Sequence, residues 1–354
     1  MKRHNFTAGP CILDQSVLQG ASDAVRDFEN SGLSLIEISH RDKKIVSVMD
    51  EAVALTKSLL NLDDDFEVLF LQGGASTQFL MTPYNLMKSE GGRAAYINTG
   101  TWSKKAIKEA QLFGEVDVIA SSEDQNFNYT PVVDTVDSAY DYVHCTSNNT
   151  IFGTSLKLFP KTDNVLVCDM SSDIFSRQLD FNQFDLIYAG AQKNLGPAGT
   201  TLVIVRKSIL GKSGRQIPSM LDYKIHASKD SMFNTPPVFA LYTSLLTLRW
   251  MKEEGGIAEM ERRAEARAQA LYAEIDRNPH FKGAADPASR SNMNATFLLT
   301  DESLKATFET RAKEAGIVGI NGHRSVGGYR ASMYNALKQE SVDCLIEVMQ
   351  NLNS

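Results

Sequence analysis

Cysteine is scarce in this sequence, with four residues in a chain of 354. Cys11, Cys145, Cys168 and Cys344 form no CxxC pair and no Cys/His cluster at zinc-finger spacing, which speaks against a disulfide framework and a zinc module. The N-terminal residues lack the apolar stretch of a secretory signal, and no apolar run approaches the roughly 18 residues of a membrane span. These absences predict a reduced, cytoplasmic protein that does not cross a membrane.

Positive charge is also in deficit. The chain has 36 Lys and Arg residues against 43 Asp and Glu residues, a formal net charge of −7. Nucleic-acid binding needs a concentrated basic surface, so this composition disfavours a nucleic-acid partner. The remaining composition, 43% hydrophobic and 22% charged, is ordinary for a folded protein whose length allows two domains. Any anionic ligand must therefore meet locally focused positive charge.

Apolar runs typical of buried strands alternate with helix-like stretches through most of the chain. The alternation predicts an α/β fold with a mostly parallel central sheet and helices on both faces. Helices are expected from the glycine turn at 73–74 towards residue 87, at 104–112 and at 238–254. Strands are expected at 66–71, 93–98, 116–120, 142–145, 164–170, 184–189 and 201–205.

The pattern changes at Gly255-Gly256, where one helix-like run gives way to another that is charged and rich in alanine. This change predicts a hinge into a smaller α+β C-terminal domain, with strands near 293–299 and 329–333 and helices near 303–315 and 340–351. The predicted division is an N-terminal segment (1–15) associated with the active site and the small domain, a large cofactor-binding domain (16–255) and a small domain (256–354).

The segment around Lys193 carries the most information about chemistry. Lys193 follows a short apolar run, and in doubly wound sheets ligands bind at the carboxyl ends of the strands. Asp169 ends another such run, so its carboxylate could face the same edge. This pair suits pyridoxal phosphate, because an aspartate keeps the pyridine nitrogen protonated while a lysine amine holds the aldehyde. The alternative for Lys193 is a solvated loop position.

Two strand-to-helix junctions add to this pattern. The first is a glycine turn, Gly73-Gly74, whose free N–H groups and following helix make a phosphate cradle. It matches neither GxGxxG nor GxxxxGK[ST], which weakens dinucleotide and ATP interpretations. Alternatively, the glycines only turn the chain and Ser76 or Thr77 caps the helix. The second junction carries Trp102, which could stack on a flat cofactor or pack in the core.

Five segments together resemble the class V, fold-type I aminotransferases over nearly the whole chain. They are NFTAGP at 5–10, SHR at 39–41, GAQKN at 190–194, NTPP at 234–237 and GHRSVGGYRAS at 322–332. The resemblance implies a fold-type I pyridoxal 5'-phosphate-dependent transferase that works as a homodimer, with active sites at the subunit interface. It points to the members that transfer an amino group from L-glutamate to 3-phosphohydroxypyruvate in serine biosynthesis. Whether 4-phosphohydroxy-L-threonine of vitamin B6 synthesis is also used stays open.

The same resemblance implies individual roles. Lys193 would form the Schiff base as the catalytic residue, Asp169 would pair with the pyridine nitrogen, and Trp102 would stack on the ring. The other implied cofactor contacts are Thr150 at the ring hydroxyl, Ala75, Ser76 and Gln192 at the phosphate, and Asn234 and Thr235 reaching the phosphate of the neighbouring subunit. No metal is expected.

Each of the implied substrates carries two anionic groups. The residues expected to bind these groups are two His-Arg pairs, His40-Arg41 and His323-Arg324, together with Arg330. The planar arginine side chain donates two hydrogen bonds to a carboxylate or phosphate. We expect Arg330 to bind the substrate α-carboxylate and the two pairs to share the phosphate or the glutamate side chain. Ordinary surface ion pairs are the alternative. Some relatives have an arginine in the glycine loop, where this chain has Ser76. Binding of the substrate phosphate is therefore expected to depend more on the two His-Arg pairs.

Other functions are open at this stage. Serine– or alanine–glyoxylate aminotransferases share the fold, but their substrates lack the phosphate that the doubled His-Arg motif would explain. A cysteine desulfurase needs a mobile nucleophilic cysteine, and Cys344 on the last helix is a poor candidate. A non-catalytic cofactor-binding protein would be expected to have lost Lys193 or Asp169. A nucleotide-binding α/β module lacks its glycine fingerprint here.

Overall fold

Helices and strands alternate along the chain in the computed structural model, which describes residues 3–352. The helices are α1 (Gln15–Arg26), α2 (Lys43–Leu60), α3 (Gly74–Leu86), α4 (Thr101–Ala110), α5 (Tyr223–Ala227), α6 (Val238–Glu253), α7 (Gly256–Arg277), α8 (Lys305–Glu314) and α9 (Gln339–Gln350). The strands are β1 (His4–Asn5), β2 (Phe66–Leu71), β3 (Arg93–Asn98), β4 (Glu115–Ser121), β5 (Thr135–Val136), β6 (Tyr142–Thr146), β7 (Asn148–Asn149), β8 (Thr154–Ser155), β9 (Lys161–Thr162), β10 (Val165–Asp169), β11 (Leu186–Gly190), β12 (Thr201–Arg206), β13 (Phe281–Gly283), β14 (Asn294–Leu299), β15 (Ile317–Val318) and β16 (Tyr329–Ser332). Within residues 3–352, no helix combines the length and apolarity needed to cross a membrane.

A seven-stranded sheet forms the centre of the molecule, in the order β2-β12-β11-β10-β6-β3-β4. Every neighbouring pair is parallel except those that include β12, which is antiparallel to both β11 and β2. Residues 191–200 join β11 to β12 without a helix, and a connection that short does not allow a parallel crossover. The prediction of an α/β fold with a mostly parallel sheet is confirmed.

Helices cover both faces of this sheet, and β10 shows how. Leu166 and Cys168 pack into the core that includes residues of α1, α2 and α6, whereas Val165 and Val167 pack into the core with α3 and α4. Successive side chains of a strand point to opposite faces, so both sets must be apolar when both faces are covered. The strands therefore appear in the sequence as nearly continuous apolar runs.

A second sheet, β13-β14-β16, is antiparallel and packs with α7, α8 and α9 in a separate core. Its α7 begins directly after Gly255, where φ is +109°, a backbone conformation that L side chains rarely adopt. The N-terminal residues reach this part of the chain, because β1 pairs in parallel with β15 and the Tyr334 hydroxyl donates to the Ala8 carbonyl at 2.8 Å. The division into segments 1–15, 16–255 and 256–354 stays a prediction.

The structure adds three helices that the strand-and-helix pattern did not predict: α1, α2 and the short α5. Each begins after an aspartate that accepts a hydrogen bond from the backbone two residues on: Asp14 from Ser16 and Asp42 from Lys44, both at 2.9 Å, and Asp222 from Lys224 at 2.8 Å. These are ordinary N-caps, and an aspartate before a helical apolar period is the signal that identifies them. In addition, α4 begins at Thr101, which brings Trp102 into its first turn.

Candidate active site

The ends of several sheet strands meet the first turn of α3 around a cavity of about 270 Å³. Its position, beyond the carboxyl ends of parallel strands, is where open α/β sheets bind ligands. The lining residues are Gly73, Gly74, Ala75, Ser76, Trp102, Thr146, Asn148, Asp169, Ser171, Ser172, Gln192 and Lys193. The structure thus brings together six of the residues predicted from the sequence: Ala75, Ser76, Trp102, Asp169, Gln192 and Lys193.

Lys193 lies just beyond β11, with its amine inside the cavity. The Nζ atom donates a hydrogen bond to Thr150 Oγ1 at 2.8 Å. Burial lowers the pKa of Lys193 to about 8; Arg330 adds to the lowering, whereas Asp169 opposes it. A lysine with that pKa has a substantial neutral fraction near neutral pH, which an ordinary lysine lacks. Thr150, which the resemblance predicted to contact the cofactor, is therefore connected to the site by its hydrogen bond with Lys193.

Asp169 is the last residue of β10 and is 4% exposed. Its Oδ1 accepts the backbone N–H of Ser171 at 2.9 Å. Burial raises the pKa of this carboxyl, while the Ser171 hydrogen bonds and Lys193 act in the opposite direction. A buried carboxylate requires donors or positive charge, and a protonated ring nitrogen in the cavity would supply both.

The glycine turn leaves the start of α3 open to a ligand. Gly73 is the N-cap residue, with φ at +92°, and no side chain caps the helix. A Cβ atom on Gly73 would lie 2.0 Å from Thr77 Oγ1, so another residue does not fit there. Neither Ser76 nor Thr77 takes the capping position, and the N–H groups of the first turn remain available to an anion.

Trp102 forms another wall of the cavity. Within the described part of the chain, its Nε1–H is buried without a hydrogen-bond acceptor. The Nζ atoms of Lys193 and Lys105 lie 5.9 and 4.5 Å from the ring centroid. A buried indole N–H normally has a partner, so the open acceptor position fits a group bound in the cavity. The amine, the carboxylate, the open helix start and the aromatic ring together fit pyridoxal phosphate.

Arg330, in β16, connects the second sheet to this cavity. Its Nη1 donates to the Thr150 carbonyl at a long 3.4 Å, and its Nε is buried without a partner among the described residues. Burial lowers the pKa of His323, and Arg330, Arg324 and Lys105 lower it further. Residues 323–330 therefore carry a cationic group, Arg324 and Arg330 around His323, and Arg330 lies within electrostatic range of Lys193.

The other eight predicted residues do not line the cavity. Thr150 and Arg330 reach it through the contacts described above, whereas His323 and Arg324 lie in the segment before β16 and their roles stay predictions.

The remaining four predicted residues lie in two other segments of the chain. His40 and Arg41 precede α2; Arg41 is exposed, and neither residue lines the cavity. Asn234 and Thr235 are exposed, and Asn234 borders a second cavity of about 290 Å³ that shares Gly73 with the first. Gln72 Nε2 donates to the Thr235 carbonyl at 2.7 Å, which ties this segment to the glycine turn. The roles of these four residues stay predictions.

The sequence analysis did not assign four polar residues of the cavity wall. Thr146 and Asn148 follow the apolar run of β6, and Ser171 and Ser172 follow that of β10. Asn148 Nδ2 donates to Ser172 Oγ at 2.8 Å, so the two strand ends hold each other in place. Polar residues directly after an apolar strand are the signal that identifies them, as for Asp169 and Lys193.

Comparison with known proteins decides the family. The family described as aminotransferase class-V matches residues 3–345 of the chain. The chain belongs to the class-V aminotransferases. The chain is 61% identical to a phosphoserine aminotransferase of Flavobacterium johnsoniae, with 100% of this chain and 99% of the relative covered.

Solved structures of related enzymes agree with the geometry of this aminotransferase. A phosphoserine aminotransferase from Bacillus circulans subsp. alkalophilus is 42% identical with a TM-score of 0.95, covering 99% of this chain and 98% of its own. Another, from Trichomonas vaginalis with pyridoxal phosphate bound, is 34% identical with a TM-score of 0.91, covering 99% and 100%. The protein is a fold-type I, pyridoxal-phosphate-dependent aminotransferase.

Proposed function

We propose that this aminotransferase exchanges the amino group between L-glutamate and 3-phosphohydroxypyruvate, giving 2-oxoglutarate and O-phospho-L-serine for serine biosynthesis. The observation that carries the proposal is the position of Arg330, whose Nη1 contacts the carbonyl of Thr150 while Thr150 Oγ1 accepts a hydrogen bond from Lys193 Nζ. Together with Arg324, Arg330 forms a cationic group, and each substrate has two anionic groups. The identity of 61% to an enzyme named phosphoserine aminotransferase supports the same substrate pair.

Lys193 is the proton carrier in this proposal. Pyridoxal phosphate, when bound, supplies a ring that accepts the electron pair left on the substrate carbon. The pKa of about 8 provides a neutral amine, and Thr150 Oγ1 holds Nζ at a fixed place in the cavity. The neutral Nζ accepts the α-proton of the amino donor and releases it within the cavity as the reaction proceeds.

Three further groups prepare the cavity for the cofactor. Asp169, held by the Ser171 N–H, would supply a negative charge for the ring nitrogen. The open start of α3 at Ala75 and Ser76, together with Gln192, would hold the cofactor phosphate. Trp102 would stack on the ring. All of these atoms are positioned before the substrate arrives, which keeps the reorganisation cost of catalysis low.

Arg330 binds the substrate α-carboxylate in this proposal. Its long contact to Thr150 and its unpartnered Nε leave donors for an incoming carboxylate. The pairs His323-Arg324 and His40-Arg41 share the substrate phosphate or the glutamate side-chain carboxylate. Burial lowers the pKa of His323 most, and the positive charges of Arg330, Arg324 and Lys105 lower it further.

We further propose a homodimer in which His40, Arg41, Asn234 and Thr235 act on the neighbouring active site. Large apolar side chains are exposed next to both pairs of residues: Ile36 before His40 and Phe233 before Asn234, at 63% and 42%. An interface would cover these side chains and account for the distance of both pairs from their own cavity. Sedimentation equilibrium tests this; a monomer at micromolar concentration contradicts it.

The proposal also includes a cytoplasmic location, consistent with four cysteines that form no disulfide. We also propose that a hinge at 255–256 separates a large and a small domain. The use of 4-phosphohydroxy-L-threonine as a substrate is a second activity to assay. Limited proteolysis tests the hinge.

The test of the function is the visible absorbance of the purified protein. We expect a yellow protein whose band is lost on adding L-glutamate and, separately, O-phospho-L-serine, with a much weaker response to L-serine. Serine is the matched control, because it lacks only the phosphate. A response to serine equal to that to phosphoserine would overturn the substrate while keeping the aminotransferase. A response to glutamate alone would do the same.

A further inference from the structure

Lys105 is an exposed lysine that faces the mouth of the cofactor cavity. It lies one turn after Trp102 on α4, and residues three apart on a helix share a face. Its Nζ is 4.5 Å from the centroid of the Trp102 ring, which is itself a wall of the cavity. A flexible four-carbon stem therefore delivers a point charge to the entrance of the site.

The charge of Lys105 belongs to the cationic group on residues 323–330. Lys105 is among the residues that lower the pKa of His323, after Arg330 and Arg324, so it lies within electrostatic range of that ring. In the part of the chain that the structure describes, no carboxylate pairs with Lys105. Bringing like charges together is unfavourable unless an anion occupies the space between them.

The neighbouring lysine shows the contrast. Lys104 forms an ion pair with Glu123 and lies 5.4 Å from the Phe127 ring centroid. Both lysines are exposed residues of the same helix turn, yet only Lys105 is directed to Trp102 and left without a counterion. The glycine turn, which also lines the cavity, supplies Ser76 and no cationic side chain. The entrance thus receives its additional positive charge from α4.

We propose that Lys105 is a specificity residue that recognises the phosphate of the phosphorylated substrate. The inference rests on the proposed function and extends it to a residue outside the His-Arg motifs. A phosphate monoester carries a charge of about −1.5 to −2 at pH 7, whereas the glutamate side chain carries −1. A single ammonium therefore stabilises the phosphorylated substrate more than the carboxylate, and it contributes little to the chemical step.

The experiment titrates the absorbance of the holoenzyme with O-phospho-L-serine and with L-glutamate in wild type, Lys105→Met, Lys105→Arg and Lys104→Met. In Lys105→Met we expect Kd for phosphoserine to rise about tenfold, Kd for glutamate to rise less than about threefold, and the rate at saturation to stay near wild type. Lys105→Arg should restore most of the affinity, and Lys104→Met should match wild type for both donors. The salt dependence of phosphoserine binding should be weaker in Lys105→Met.

Two results would overturn the proposal. One is an unchanged Kd for phosphoserine in Lys105→Met; the other is an equal loss for both donors, which would indicate a general effect on Trp102. If wild type does not respond to phosphoserine, the proposed function fails. The role of Lys105 in phosphate recognition is then tested separately, by the inhibition of the glutamate reaction with inorganic phosphate. A tenfold weaker inhibition in Lys105→Met supports phosphate recognition, and equal inhibition, or none in wild type, rejects it.

Discussion

The two walls of this active site are built in different ways. The cofactor wall takes its groups from strand ends and helix starts, where Asp169 and Lys193 have buried surroundings and defined hydrogen-bond partners. The cationic wall takes its charges from residues 323–330 and from the face of α4, where Arg324 and Lys105 are exposed. In the proposed function, the sheet therefore fixes the reacting groups rigidly, while substrate recognition lies on segments that can vary without disturbing the core.

Lys193→Ala should have the largest effect. It removes both the covalent attachment of the cofactor and the proton carrier, so we expect turnover to fall by at least about four orders of magnitude. Steady-state assays with glutamate and phosphohydroxypyruvate measure this loss, and the thermal midpoint checks that the variant is folded. Near-normal activity in the purified variant would contradict the assignment of the cofactor wall.

Asp169→Asn tests the same wall with a change of charge and little change of shape. An asparagine cannot hold a proton on the ring nitrogen, and we expect kcat/KM to fall about a hundred- to a thousandfold. Asp185→Asn is the matched control, since Asp185 precedes β11 at the opposite end of the sheet and bonds Arg206 at 3.0 Å. If both variants lost activity equally, stability rather than chemistry would explain the result.

Arg330→Gln tests the cationic wall. Loss of a charge-assisted pair with the substrate α-carboxylate should raise KM for both donors about ten- to a hundredfold, with a smaller change in kcat. Arg262→Gln, in which an exposed arginine of α7 loses its pair with Glu259, serves as the control. A fall in kcat at unchanged KM would place Arg330 in the chemical step and remove the distinction between the walls.

The pH dependence of the rate at which cofactor-free protein binds pyridoxal phosphate is the smallest and most specific expected effect. Only the neutral amine reacts with an aldehyde, and the folded-state pKa of Lys193 is lowered to about 8. The rate at which cofactor-free protein takes up pyridoxal phosphate should therefore rise about tenfold per unit below pH 8 and level off above it. Absorbance after rapid mixing measures the rate. A rise that continues to pH 10 would indicate an unperturbed lysine.

Prediction from the sequence succeeded where a local signal and a structural constraint coincide. Asp169 and Lys193 each end an apolar run, and parallel strands bring their carboxyl ends to one edge, so their proximity follows from topology. Thr150 was implied only by resemblance, because its contact with Lys193 depends on a turn after β6. The α1 and α2 helices were missed, although their aspartate caps are readable.

The sequence by itself determined the family, the cofactor and the proximity of Asp169 to Lys193, because apolar runs, glycine turns and motif spacing are local properties of the chain. Tertiary structure decided the rest: the pKa of Lys193, the open start of α3, and the meeting of Arg330 and Lys105 with a cavity formed by distant strands. Burial and electrostatic coupling depend on which surfaces pack together, and residues far apart in the chain set both.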